Sequence, residues 1–113
     1  FDTVWDLGEE WATWTGLPFV FAMWVGRSGV ADENVLRMLS EARDRGVSRC
    51  DEIAAREAES LNLSVEHAAD YLKHNLHFTL GPAERCGLEL FQDLAVQMGL
   101  APEGVDLVFR QHK

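Results

Sequence analysis

The chain has 113 residues, is 47% hydrophobic and carries a formal net charge of −9 from ten basic and nineteen acidic residues. That apolar content suits one modest globular domain with a core and excludes a disordered tail. The acid excess excludes a nucleic-acid surface, which needs a basic patch, and general electrostatic attachment to an acidic membrane leaflet. A small anionic substrate would need local Arg, Lys or helix N-termini to overcome the global field.

The first residues, Phe1-Asp2-Thr3-Val4-Trp5, hold no basic n-region and no cleavage pattern. The sequence starts at Phe1 without an initiating Met, which either tag removal or an upstream region would explain, and the strand pattern below leads us to expect the second. Asp6 to Gly16 reads as a short helix: Asp6 is the N-cap, Glu9 stands where a capping box places it, and Glu9 and Glu10 suit the positive end of the dipole. Leu7, Trp11 and Trp14 share one face, Gly16 fits the C′ position, and Pro18 blocks continuation. Phe19 to Val25 is apolar without alternation and rich in aromatic and β-branched residues, the pattern of a strand buried on both faces. The full apolar run, Leu17 to Val25, is far shorter than the ~18 residues a membrane span requires. Gly26-Arg27-Ser28-Gly29 is a turn.

The remainder is helical. Asp32 to Arg45 carries Val35, Leu36, Leu39 and Ala42 on one stripe and stops at Gly46. Cys50 to Leu61 carries Ile53, Ala54, Ala58 and Leu61, and Ser64 caps a helix bearing Val65, Ala68, Ala69 and Leu72. Leu76 to Leu80 alternates, as a short strand or a loop would. Gly81-Pro82 opens a long helix whose buried face is Leu90, Phe91, Leu94, Ala95 and Met98, and Gly99 ends it. Ala101 to Lys113 has no strong pattern and is expected to be a loose tail. A strand apolar on both faces belongs inside a covered sheet, and one strand cannot satisfy its own backbone groups, each worth roughly 1–3 kcal/mol if buried unpaired. Its partner strands must therefore come from a missing N-terminal half of the same polypeptide or from a second chain.

Several residue groups could carry chemistry. His67, His74 and His77, with Asp70 interleaved, lack metal-motif spacing and read as surface or helix-end histidines, so no metal is expected. Cys50 lies near a helix N-terminus, which would lower a thiol pKa, but no histidine is near it in sequence. Cys50 and Cys86 read as free thiols of a cytoplasmic protein, a disulfide between them being the alternative. Glu41, Asp44, Glu57 and Glu59 fall on polar helix faces, as solvated surface. The segment Thr15-Gly16-Leu17-Pro18-Phe19 is the most informative. There a helix ends, the chain turns sharply and an apolar strand begins, which places backbone amides and a hydroxyl where a ligand can reach them and supplies a hinge.

These residues carry a resemblance. Asp6-Leu7-Gly8-Glu9-Glu10-Trp11, then Trp14-Thr15-Gly16-Leu17-Pro18-Phe19-Val20-Phe21-Ala22-Met23-Trp24, resembles the signature of the chorismate dehydratases of the futalosine route to menaquinone. The related enzymes that process cyclic dehypoxanthine futalosine share the Asp-Leu-Gly, Trp and Thr-Gly-Leu-Pro elements but continue differently after the proline. The later residues Tyr71, Leu72, Leu76, Phe78, Leu80, Phe91, Gly99 and Leu100 are similar to the family's C-terminal helices, less specifically.

The resemblance implies an α/β protein with the two-lobed fold of type-II periplasmic binding proteins, of which this chain supplies a mostly helical C-terminal part with one buried strand. Residues 1–16 would end the second lobe and lead into the hinge, 17–100 would be the crossover strand and C-terminal helices of the first lobe, and 101–113 the tail. It implies a lyase that converts chorismate to 3-[(1-carboxyvinyl)oxy]benzoate without a metal or organic cofactor. Thr15, Gly16, Leu17, Pro18 and Phe19 would act as substrate-binding and hinge residues. The principal catalytic residues are expected in N-terminal segments that this sequence lacks, so none is assigned here, and the chain by itself is expected to be inactive. A two-lobed solute-binding protein without catalysis is the alternative, as is the futalosine-processing relative.

Overall fold

The computed structural model describes residues 2–27, 29 and 32–110. Ser28 of the expected turn and the end of the tail beyond Arg110 lie outside the described residues. In chain order the helices are α1 (Leu7–Thr15), α2 (Glu33–Val47), α3 (Cys50–Glu57), α4 (Val65–Asp70) and α5 (Pro82–Gln97). A 3₁₀ turn, Glu59–Leu61, follows α3, and a π-helical turn, Tyr71–Asn75, extends α4. The chain divides into two compact units, one formed by residues up to Val25 together with Leu80–Phe109, the other by Gly26–Thr79.

In the first unit, α1 starts where its cap dictates. The Asp6 carboxylate accepts hydrogen bonds from the Gly8 and Glu9 amides at 2.9 and 3.1 Å, satisfying two of the orphan donors of the first turn. The helix ends at Gly16, whose φ of 70° is a left-handed conformation that a residue without Cβ adopts at no steric cost. Of the predicted stripe only Trp11 is buried, at 8% exposure, while Leu7 and Trp14 face outward. Helix α5 opens with Pro82 at its first turn and closes with Gly99 at φ 71°, where the Gly99 and Leu100 amides return to the carbonyls of Val96 and Ala95. Leu88, Leu90, Leu94 and Ala95 are half-buried, but Phe91 and Met98, both expected on the buried face, are exposed, at 46% and 73%. The tail is less loose than its sequence implied. The Gln92 side chain donates to the Val105 carbonyl at 2.5 Å, and the Arg85 guanidinium stacks 5.1 Å above the Phe109 ring.

The strand expected within residues 17–25 is not formed as a buried element. No β-ladder exists among the described residues. Leu17 to Val20 are half-buried, whereas Phe21, Trp24 and Val25 are 73%, 85% and 80% exposed. The reason is pairing: an extended segment is covered only where something lies beside it, and beyond Val20 the Phe21 ring rests against Gly8 of α1 on one side while Trp24 and Val25 are left open. Leu76 to Leu80 forms no strand either.

The second unit is held by small side chains. Ala54 and Ala58 of the α3 region are each 1% exposed and pack with Ala68 of α4, bordered by Ala69 and Leu72. Alanine contributes no side-chain entropy loss and lets helices approach closely. Asn62, at φ 57°, reverses the chain between them, and Ser64 caps α4 by accepting from the His67 amide at 3.1 Å. The Lys73 ammonium bonds the Asp51 carboxylate at 2.6 Å, and Arg49 grips Glu52 through two bonds of 2.7 and 2.6 Å. That pairing holds the Glu52 carboxyl below its usual range and raises the Arg49 guanidinium. Helix α2 runs through Gly46 to Val47 and buries none of its residues fully. Val35 and Met38 are exposed and Leu36 and Leu39 half-buried, so its predicted stripe finds only partial cover.

Replacing Ala58 by leucine adds three carbons to this alanine seam without room for them. The expected loss is about 1–3 kcal/mol, measured by urea unfolding followed by helical circular dichroism. An unshifted midpoint would contradict the close α3–α4 packing.

Candidate functional site

The junction Thr15–Phe19 is built from three local decisions. The Thr15 hydroxyl donates to the Trp11 carbonyl at 2.8 Å and accepts from the Leu17 amide at 3.1 Å. The Gly16 amide returns to the Ala12 carbonyl at 2.9 Å. Pro18 then fixes its own φ near −65° and disfavours helix at Leu17. The hydroxyl that the sequence offers to a ligand is thus already engaged as donor and as acceptor, and it has one lone pair to spare.

Beyond the junction the chain enters an aromatic cluster. Trp11 makes edge-to-face contacts with Trp14, Phe19 and Phe91 at centroid distances of 5.8, 5.7 and 5.8 Å. Phe19 in turn meets Phe91 at 5.3 Å and Phe21 at 4.8 Å. Each such pair contributes about 0.5–1.5 kcal/mol beyond area burial. Trp11 thereby bridges the helix before the junction and the chain after it. Its indole Nε1 is buried without a hydrogen-bond partner, and so is Arg85 Nε. The Pro18 carbonyl lies against Gly87 of α5, close enough that a Cβ there would overlap it. Sequence reasoning missed Gly87; an isolated glycine inside a helical pattern was the signal that could have found it.

Chemically the junction presents shape, backbone polarity and aromatic faces. None of Thr15, Gly16, Leu17, Pro18 or Phe19 carries an acid or base that works near neutral pH. His74 pairs through Nδ1 with the Asp70 carboxylate at 2.7 Å on an exposed turn. Among the described residues no three metal-ligating side chains converge. Cys50 and Cys86 are both free thiols; Cys50 is buried at 3.9 Å from the Gly46 carbonyl and Cys86 is exposed. An open groove of about 680 Å³ runs between α5 and the tail, bordered by Glu89, Asp93, Glu103 and Asp106. Four carboxylates repel an anion, so this groove is unsuited to a polycarboxylate substrate.

The sequence model described as menaquinone biosynthesis matches residues 1–97. The chorismate dehydratase of Thermus thermophilus is 35% identical over 98 residues, covering 86% of this chain and 35% of that protein. The chain therefore spans about a third of the length of the curated relative it matches. No solved structure matches.

Thr15→Val keeps the side-chain shape and removes both hydroxyl bonds. It leaves the Leu17 amide without its acceptor, and the expected cost is about 1–3 kcal/mol of stability. Thr15→Ser should recover most of it, and thermal unfolding of the two variants side by side checks the ordering.

Proposed function

We propose that the protein of which this chain is a part is a chorismate dehydratase, on the premise that the chain belongs to the menaquinone biosynthesis family. The observation that carries the finer reading is the 35% identity, over most of this chain, to a relative of that name. The reaction removes the ring proton at C3 and the hydroxyl at C4 of chorismate, and the ring becomes aromatic as 3-[(1-carboxyvinyl)oxy]benzoate. It needs a base near C3, a proton donor to the departing hydroxyl, and donors for two carboxylates.

This chain's part in that task is structural control of the cleft. The Thr15–Phe19 junction is rigid where it is hydrogen-bonded and apolar where it is packed. It can hold a wall of the site and act as the hinge between two lobes, while the acid and base come from the polypeptide outside this chain. The whole protein, in this reading, has the two-lobed α/β fold of type-II periplasmic binding proteins, works in the cytoplasm and needs no metal or organic cofactor. The segment Phe19–Val25 becomes a sheet strand there, since its exposed apolar side chains and unladdered backbone are what a strand shows when its neighbours are elsewhere.

Two experiments test the reading. The full-length protein incubated with chorismate should form the aromatic product, followed by its ultraviolet absorbance; absence of product from folded full-length protein would sink the assignment. The 113-residue chain alone, examined by size-exclusion chromatography with light scattering, should self-associate or precipitate through Phe19–Val25. A monodisperse monomer with a sharp thermal transition would contradict the role of that segment as an unpaired strand.

A further inference from the structure

Gly87 lies inside α5, with helix on both sides of it. Glycine at such a position costs about 1 kcal/mol relative to alanine, so it calls for a packing reason. The reason is a backbone contact. Gly87 is buried, and a Cβ built on it would fall well inside 3.0 Å of the Pro18 carbonyl oxygen, with the Pro18 carbonyl carbon at 3.5 Å and Leu17 Cβ at 3.6 Å. The contrast with other glycines is informative. At Gly81 the nearest obstacle is the Glu84 carboxylate at 2.8 Å, the end of a flexible side chain, and at Gly46 there is nothing within 4 Å. At Gly87 the obstacle is main chain and cannot rotate aside. One turn along the same face of α5, the Phe91 ring meets Phe19 at 5.3 Å and Trp11 at 5.8 Å.

We propose that Gly87 is a positioning residue: its missing side chain lets the Pro18 carbonyl seat on α5 and, together with Phe91, sets where the Leu17–Phe19 junction stands in the cleft. The catalytic consequence of this seat rests on the dehydratase reading; the seat itself does not. With alanine at position 87, the Pro18 carbonyl must retreat by about an ångström to regain ordinary contact distance. A shift of that size at a reacting geometry lowers turnover by up to about a hundredfold.

The test uses the full-length protein and three variants, Gly87→Ala, Phe91→Leu and Gly46→Ala, each normalised to its folded fraction by circular dichroism. Hydrogen exchange at the Leu17 amide, which the Thr15 hydroxyl holds, reports the seat without reference to activity. Gly87→Ala should speed that exchange and lower kcat on chorismate about tenfold or more, with KM changed less than about threefold. Gly46→Ala should leave both readouts at wild type. A lesion that merely loosens the fold would lower the melting temperature and leave kcat per folded molecule intact, and that result would overturn the positioning role, as would unchanged Leu17 exchange. A wild type inactive on chorismate, alongside faster Leu17 exchange in Gly87→Ala, would retire the dehydratase reading and keep the seat. If Gly87→Ala yields no folded protein, Phe91→Leu takes its place. It loosens the same seat from the Phe19 side and should speed Leu17 exchange, and wild-type exchange and kcat in that variant would overturn the proposal.

Discussion

The first compact unit depends on a backbone-to-backbone approach, the Pro18 carbonyl lying on Gly87 of α5. A Cβ at position 87 would separate the two surfaces, and the contacts that follow depend on the same closeness. Phe19 can reach Phe91 only because Pro18 comes so near the helix, and Trp11 can be buried only because Phe19 and Phe91 both stand against it. Edge-to-face rings tolerate little displacement, since the favourable quadrupole geometry is lost as centroids part. A short helix of marginal intrinsic stability is in this way held by tertiary packing on one aromatic side chain.

The same packing leaves the junction few free polar atoms. Its polar atoms are engaged: the Thr15 hydroxyl with Trp11 and Leu17, the Gly16 amide with Ala12. Such engagement removes conformational freedom from the chain at the turn. The acidic groove between α5 and the tail has the opposite character, open and carrying like charge, and it serves the tail's docking through Gln92 and Val105.

The second unit shows a different solution to the shortage of core. Its helices are short and its alanines small, so burial is thin, and direction is added by charge pairs on the surface. Exposed pairs of this kind contribute little each, so close contact between α3 and α4 carries the larger share. Helix α2 keeps an apolar stripe that this unit covers only in part, as befits a family with a curated relative of which this chain matches 35%.

Local chemistry was legible in the residues themselves. Asp6 and Ser64 as caps, Gly16 and Gly99 as stops and Pro82 as a helix opening follow from hydrogen bonds and φ preferences that act over three or four positions, and the structure has each of them in that role. The family was legible too, because Asp6–Trp24 is a contiguous block. What the sequence could not decide was which apolar residues would find cover. Leu7, Trp11 and Trp14 are equivalent on a helical wheel, yet only Trp11 is buried, because Phe19 and Phe91 arrive on its side of α1 from distant parts of the chain. Likewise Phe19 to Val25 reads as one uniform strand, but the tertiary structure divides it: Phe19 and Val20 are half-buried, and from Phe21 onward the side chains are exposed. Burial is a property of neighbours, and neighbours distant in sequence are set by how the chain folds back on itself.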